Sequence, residues 1–485
     1  MPLILPGNVA SATAATTFEV ANSCRFNYGD SAYMTKTIGT PSSTTAWTLS
    51  MWFKLGSSVR SVAAEGLFTS FTDTNNRLQV VIEGSELEIF GKTGGSTSIY
   101  YLTEMKFRDH SAWYHLCIAA DTSDGTAADR VKVYLNGVRI EAGSLGSFST
   151  YTQAASNRVF ECAVDGAPHL IAAKNTGSIG SYWDGYLAEV VFIDGTQNAI
   201  TDFGEFNSDS PTIWQPIDVS GLTFGNNGYY LDFEASDNLG NDANGGTDLS
   251  ETNVAATDQC TDTPTNNFCT LNPLRLAGVL SEGNCTYTPS ATAHTCEGTM
   301  GITAGKWYWE VRCSDSSVNL GLVENGISVI GNNDDNYPTY TAVAGTSTTW
   351  TIYNNVSSGN NSTTHTGTQV SNSGNDIIMV GFDADNENLY FGVNGTWEPD
   401  GADPTSGASA TGAAVTSIQA RYGGTLIPIA GVSGAVSRNW DYNFGNPSWG
   451  LSSAVNDANG YGNFEFAPPS GYFALCSKNL AEYGG

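Results

Sequence analysis

Val131-Lys-Val-Tyr-Leu-Asn-Gly-Val-Arg-Ile140 decides the fold class. Val131, Val133 and Leu135 alternate with Lys132 and Tyr134, the period of a strand with one apolar face. Asn136-Gly137 follows, and both residues tolerate the positive φ that a two-residue type I′ turn requires. Val138 then resumes the extended pattern, so the segment reads as a β-hairpin. Working outward, the same signals recur. Residues 78–82 and 87–90 flank a Glu-Gly-Ser-Glu turn. Residues 47–54 alternate large and small side chains, and residues 113–120 and 185–194 carry apolar residues at both parities, as a central strand does. Further on, Trp307, Trp309 and Val311 share one strand face while Tyr308 and Glu310 share the other. An apolar run at 377–382 leads through Asp383-Ala-Asp-Asn-Glu-Asn388 into residues 389–393, and Asn394-Gly395 turns the chain again. Residues 464–466 and 472–476 close the pattern.

The composition agrees. Of 485 residues, 54 are Gly and only 14% are charged, a balance suited to many short strands and tight turns. No stretch sustains a helical period; residues 478–483 are at most one turn. The fold class expected is all-β, two tandem jelly-roll-like antiparallel β-sandwiches with about ten or more strands each. Between residues 236 and 274 the pattern dissolves into Asp, Asn, Gly and Thr, and the run Asp237-Asn-Leu-Gly-Asn-Asp-Ala-Asn-Gly-Gly246 is expected to contribute nothing to a core. The boundaries that follow are an N-terminal arm at 1–16, a first sandwich at 17–255, a linker at 256–274, a second sandwich at 275–476 and a tail at 477–485.

Charge excludes several partners. The chain carries 48 acids against 19 bases, net −29, and has no Lys or Arg from Ser314 to Ala420. A nucleic-acid reader needs cations to displace the counterions of a phosphate backbone, and an anionic membrane surface needs them too, so neither partner is expected. The acidity suits solubility at high protein density, or carboxylates shared with divalent cations. No apolar run is long enough to span a bilayer. Met1-Pro-Leu-Ile-Leu-Pro6 is short, broken by two prolines and without a basic flank, so no signal peptide is expected. Nine cysteines cannot all pair with one another. Cys260 with Cys269, or Cys285 with Cys296, lie close enough in sequence to pair, but reduced thiols are the expectation. Cys117 and Cys313, in strand-like runs, should behave as small buried hydrophobes.

Trp113-Tyr-His-Leu116, the hairpin at 131–137 and Asp184-Gly-Tyr-Leu-Ala-Glu-Val-Val-Phe-Ile-Asp194 resemble the concanavalin A-like LamG domains, over about 17–255. Gly305-Lys-Trp-Tyr-Trp-Glu-Val311, Gly321-Leu-Val323, Leu389-Tyr-Phe-Gly-Val-Asn-Gly395, Leu426-Ile-Pro428 and Tyr442-Asn-Phe-Gly445 resemble a SPRY domain, over about 275–476. Met1-Pro-Leu-Ile-Leu-Pro-Gly-Asn-Val-Ala10 and Pro264-Thr-Asn-Asn-Phe-Cys-Thr-Leu-Asn-Pro273 are similar to virion proteins of marine bacteriophages. This resemblance implies a virion surface protein of the tail-fibre or receptor-binding type, made in the host cytoplasm and released with the particle. Its partners would be a host-surface glycan or protein and other virion proteins, and it would be a homo-oligomer, a trimer by analogy with fibres. The alternative is a capsid or tail decoration protein whose two domains bind other virion proteins.

Concanavalin A-like folds also include glucanases, which carry catalytic carboxylates at alternate positions of one strand, about 5–5.5 Å apart for retaining chemistry. The nearest spacing is Glu86-Leu-Glu88, without a third acid, and Glu189 stands alone on its strand. No nucleophile elbow, phosphate loop or zinc motif occurs. A binding protein is therefore expected, and a polysaccharide depolymerase only as a minor alternative. The LamG resemblance implies a calcium site. At Gly185-Tyr-Leu-Ala-Glu189, Ala188 stands where the family has Asp, which leaves Glu189 and Asp30 as candidate ligands. Asp383-Ala-Asp-Asn-Glu-Asn388 lacks the Gly of a calcium loop at position six and reads as a turn. Trp47, Trp113, Trp307 and Trp309 belong in cores. The candidates for stacking on sugar rings are aromatics beside turn residues, namely Tyr182, Trp183, Tyr337, Tyr340 and Trp440, with Asp335 as a partner for hydroxyls.

Overall fold

A computed structural model of the chain describes residue 4 and residues 18–57, 64–143, 147–276, 278–289, 295–313, 318–324, 339–343, 349–354, 362–366, 375–418, 425–432 and 439–485. Two compact units divide it: the first holds residues 18–55 and 64–265, the second residue 4, residues 56–57 and residues 266–485. Each is a β-sandwich, as the hairpin signals predict. Both Asn-Gly turns form as expected, with φ of +47° and +77° at Asn136 and Gly137 and +47° and +87° at Asn394 and Gly395.

The first unit packs two eight-stranded antiparallel sheets. One runs in the order Val138–Arg139, Val131–Leu135, Trp113–Asp121, Ala46–Leu55, Gly185–Asp194, Ser23–Phe26 and Gln259–Cys260, with Tyr229–Leu231 also paired to Gly185–Asp194. The other runs Phe148–Thr152, Ser96–Thr103, Glu86–Thr93, Asn76–Glu83, Glu65–Asp73, Pro168–Ile171, Tyr33–Thr37 and Ser250–Thr252. Leu49, Met51, Phe53, Leu116, Ile118 and Leu187 meet Phe68, Leu78, Val80, Ile89, Ile99 and Tyr101 between them. Every residue of Ala46–Leu55 and of Gly185–Asp194 is buried, because the chain also covers the outer face of their sheet. There Val191, Phe203, Val219, Phe224 and Tyr230 make a second apolar layer, and Trp214 packs with Val20, Trp52 and Ala188.

The second unit packs sheets of seven and eight strands. Pairing is antiparallel except for Phe473–Ala474 beside Lys306–Cys313 and a single bridge from Ile4 to Met300. Trp307, Trp309, Val311, Ile378 and Val380 face Leu320, Leu322 and Ala430 in the core. The opposite face of Lys306–Cys313 carries Tyr308, buried against Met379, Phe464, Tyr472 and Ala474. The alternation read from Trp307 to Val311 is therefore real, but both of its faces are covered.

Two boundaries and one internal run differ from the sequence reading. Residues 256–274 are no linker: Gln259–Cys260 extends the first sheet beside Ser23–Phe26, while Phe268 and Leu271 lie in the cores of the second unit. The tail folds as a helix, Ser477–Tyr483, with Leu480 buried in the core and Tyr483 stacked 4.0 Å from Phe473. The Asp237–Gly246 run is ordered, because Leu239 enters the first core and the buried Asp242 accepts from the Tyr230 amide at 3.0 Å and pairs with Lys36 at 3.5 Å. Short polar side chains here order the backbone by local hydrogen bonds, which hydrophobicity alone does not reveal.

Cys24, Cys117, Cys162, Cys296 and Cys476 are buried free thiols, and Cys260 and Cys269 donate to the carbonyls of Asp258 and Thr270. Neither short-range pairing forms. No helix among the described residues is long and apolar enough to cross a membrane.

Two predictions follow from this packing. A Cβ at Gly137 would stand 2.2 Å from the Trp214 ring, at a φ that strains any side chain. Gly137→Ala should therefore cost about 1–3 kcal/mol in urea denaturation, and an unchanged midpoint would refute the packing of the turn against Trp214. The Lys54 ammonium and Asp262 carboxylate are fully buried 2.6 Å apart. Lys54→Met takes the cation away from the buried acid, which keeps the Trp113 indole N–H, and should destabilise by about 3–5 kcal/mol, again read from the urea midpoint.

Candidate functional site

The short 3-10 turn Tyr28–Asp30 follows strand Ser23–Phe26 and ends at Ser31, whose φ is +59°. Asn27 Nδ2 donates to Asp30 Oδ2 at 3.1 Å, and the Tyr28 amide donates to Asp184 Oδ1 at 3.4 Å. Asp184 is buried just before strand Gly185–Asp194, so this contact ties the turn to the loop carrying Tyr182. Asn253 Nδ2 donates to the Asp30 carbonyl at 2.7 Å. Tyr33, first in its strand, pairs with Thr252. The result is a cluster of three rings from two distant segments. Tyr182 lies edge-on to Tyr28 at 6.0 Å and stacks near Tyr33 at 6.1 Å, and its hydroxyl donates to Ile179 O at 3.4 Å. Tyr28 is 42% exposed, and Asp30 and Asn253 are exposed at the rim.

Such a patch suits recognition of a partly apolar, hydroxyl-bearing surface. Tyrosine offers a flat apolar face and a polar tip at low conformational cost, while the Asp and Asn beside it accept and donate at hydroxyls. Of the sequence candidates the structure brings Tyr182 and Asp30 to one patch. Tyr28, Tyr33 and Asn253 were missed. Tyr28 stands in the same Asn-Tyr-Gly-Asp turn that singled out Asp30, but nothing local marks Tyr33 or Asn253.

Other candidates are corrected. Trp183 is fully buried, edge-on to Phe53 at 5.8 Å, and Trp440 is fully buried near Tyr287, so neither ring can meet a sugar. Trp47, Trp307 and Trp309 are core residues as expected, whereas Trp113 is half-buried and donates its indole N–H to Asp262 at 2.9 Å. Asp335 and Tyr337 lie outside the described residues. Tyr340 falls in strand Thr339–Val343, opposite Leu322. Asp383-Ala-Asp-Asn-Glu-Asn388 is a turn, held by the Asn386 amide donating to Asp383 at 3.0 Å and by Lys306 at 2.9 Å.

Glu189 is not a surface acid. It sits at a bulge in Gly185–Asp194, with φ +49°, and is buried with Tyr230 donating to its carboxyl at 2.7 Å. Burial pushes its pKa up to about 8, against the lowering effect of the Tyr230 bond, and the nearby acids Asp232, Glu234 and Asp218 add to the rise. A carboxyl that holds its proton at neutral pH is a poor ligand for a hard cation. Among the described residues no three His, Cys, Asp or Glu converge on a metal position; Asp30 is exposed on its turn, while Glu189 is buried against Tyr230.

Ser50 and His115 superficially resemble a nucleophile and its base, at 2.8 Å. Both are buried, and His115 Nδ1 accepts from the Trp214 indole at 3.0 Å. The imidazole proton is therefore on Nε2 and is donated to Ser50, the reverse of what activation needs. Burial lowers the His115 pKa to about 3, so the ring stays neutral. Glu86 and Glu88 share the outer face of their strand; Glu86 pairs with Lys106 and Glu88 bonds with Tyr100.

The state of Glu189 has a measurable consequence. The folded protein keeps this proton to about pH 8, while the unfolded chain releases it near 4.5. Stability should fall as pH rises from the lower value through the higher one. In urea titrations from pH 5 to about 9, Glu189→Gln should lose less stability than the parent chain. Parallel curves for the two proteins would refute a buried neutral acid.

Residues 28–200 match the family described as the concanavalin A-like lectin/glucanases superfamily, and residues 306–443 match the SPRY domain. No curated protein matches the chain. Among solved structures it is similar to the SPRY domain of human HERC1, at 15% identity over 36% of this chain and 96% of that one, TM-score 0.26. It is also similar to a SAP-like pentraxin from Limulus polyphemus, at 14% identity over 38% and 81%, TM-score 0.25. A third similarity is to the LG1-3 region of the laminin α2 chain, at 8% identity over 87% and 61%, TM-score 0.33. The chain carries a LamG-like, concanavalin A-like domain followed by a SPRY domain, both β-sandwiches of kinds that mediate binding to carbohydrates or proteins.

Proposed function

We propose that this protein is a bacteriophage virion surface protein of the tail-fibre or receptor-binding type, and that it binds a host-surface glycan or protein instead of catalysing a reaction. The observation that carries the binding reading is the Tyr28–Tyr33–Tyr182 cluster with Asp30 and Asn253 at its rim. Rings from two distant segments converge at a partly exposed position, where a core would not need them. The neutral, buried Glu189 and the reversed Ser50–His115 bond favour binding over hydrolysis. The virion setting is supported by the resemblance of residues 1–10 and 264–273 to phage virion proteins. A second reading, decoration of a capsid or tail through protein contacts, is favoured by the SPRY domain.

Glycan-array binding by the purified chain tests the first reading. Tyr182→Ala should reduce the signal at least about tenfold, while Tyr182→Phe, which keeps the ring, should retain most of it. No binding to any glycan or host-envelope extract, together with a labelled copy seen bound along the capsid in virion images, would establish decoration instead.

A further inference from the structure

The outer face of the first sandwich's second sheet is covered over Thr69, Gln79 and Val81 but partly exposed along Glu86–Thr93 and Ser96–Thr103. Register sets its rows: Arg77 opposite Lys92, Gln79 opposite Phe90 and Val81 opposite Glu88, then Phe90 opposite Tyr100 and Glu88 opposite Leu102. Leu78, Val80, Leu87, Ile89, Ile99 and Tyr101 point into the core. By alternation, Arg77, Lys92, Phe90, Tyr100 and Glu88 point the other way, and none of these is fully buried. Asn175 O covers the Gln79 side, accepting from its Nε2 at 2.9 Å.

The cation row is anomalous. Like charges directly opposite on neighbouring strands destabilise a sheet, yet Arg77 and Lys92 face each other and both lie over the Phe90 ring, at 5.3 and 6.0 Å. Arg77 Nη1 donates to Thr74 O at 2.6 Å, while its Nε is shielded from water without an acceptor. Among the described residues neither cation makes a close ion pair with a carboxylate, although Arg77 acts electrostatically on Glu88, in a chain with 48 acids and only 19 bases. The position complements an anion. Beside it, Phe90 and Tyr100 meet edge to face at 5.5 Å, and Glu88, bonded to Tyr100, supplies an acceptor for hydroxyls on the same face.

We propose that this face is a second binding site, for a saccharide bearing a carboxylate: Arg77 and Lys92 take the carboxylate, Phe90 and Tyr100 carry the sugar ring, and Glu88 accepts from a hydroxyl. An acidic peptide would satisfy the cations but leave Glu88 facing an anionic ligand without a hydroxyl to bind.

Calorimetric titration of the full chain with an oligogalacturonate trimer tests this, with its methyl ester as the uncharged control. The acid should bind, and the ester at least about tenfold more weakly. Arg77→Gln and Lys92→Gln should each weaken the acid by a similar factor and leave the ester unchanged. Both substitutions relieve like-charge repulsion, so circular dichroism and the melting temperature should show an intact fold. Tyr182→Ala should leave this binding untouched, which separates it from the tyrosine cluster. Equal affinity for acid and ester, or no detectable binding by an intact fold, would overturn the proposal. So would unchanged binding in the double Gln variant, or a poly-glutamate peptide binding as tightly through Arg77 and Lys92.

Discussion

The first sandwich is governed by one constraint: its two central strands, Ala46–Leu55 and Gly185–Asp194, are buried on both faces. A strand covered on both sides depends on partners inside the protein for its polar side chains, and only some, unlike the Trp47 indole N–H, find one. Ser50 meets this through His115 and Trp214, Lys54 through Asp262 and Trp113, and Glu189 through Tyr230. The partners come from late in the unit. Trp214 and Tyr230 belong to the segment that covers the outer face, and Asp262 lies beyond it. This is why residues 256–265, which look like a linker, are part of the sandwich: Asp262 supplies the carboxylate that faces the buried Lys54 ammonium.

The second sandwich meets the same demand at strand Lys306–Cys313. Glu310 is fully buried and takes four donors, the Tyr308 hydroxyl, the Asn443 amide and the backbone N–H groups of Glu465 and Phe466. Burial still raises its pKa, the four bonds acting in the opposite direction. The chain near residue 465 is thereby fastened over the sheet. Asp457 does the same further on, accepting from the Ala474 amide and from Asn479 of the terminal helix. Polar residues that read as loop chemistry thus close the domain.

Covering one sheet on both faces leaves recognition to what remains open. In the first unit the surfaces proposed for it are the cluster of Tyr28, Tyr33 and Tyr182, and the part of the other sheet's outer face with Phe90 and Tyr100. The two differ in chemistry. The cluster is ringed by an acid and an amide, while the sheet face sets two cations over one aromatic ring. One scaffold can therefore present a neutral and an anion-directed surface, although the chain as a whole is strongly acidic.

The sequence by itself determined the all-β class, the hairpins at Asn136-Gly137, Glu83-Gly-Ser-Glu86 and Asn394-Gly395, and the alternation from Trp307 to Val311. These are local: turn stereochemistry and a period of two are written in adjacent residues. The sidedness of an isolated aromatic is not local. Tyr182 and Trp183 are neighbours beside the same turn, and an extended chain sends them to opposite sides, so one joins the surface cluster and the other the core. Trp440 was equally ambiguous until its strand paired with Lys306–Cys313. The burial of Glu189, and the meeting of Tyr28 with Tyr182 across some 150 residues, were decided only by tertiary structure, because sheet order and the covering of a second face depend on segments far away in the chain.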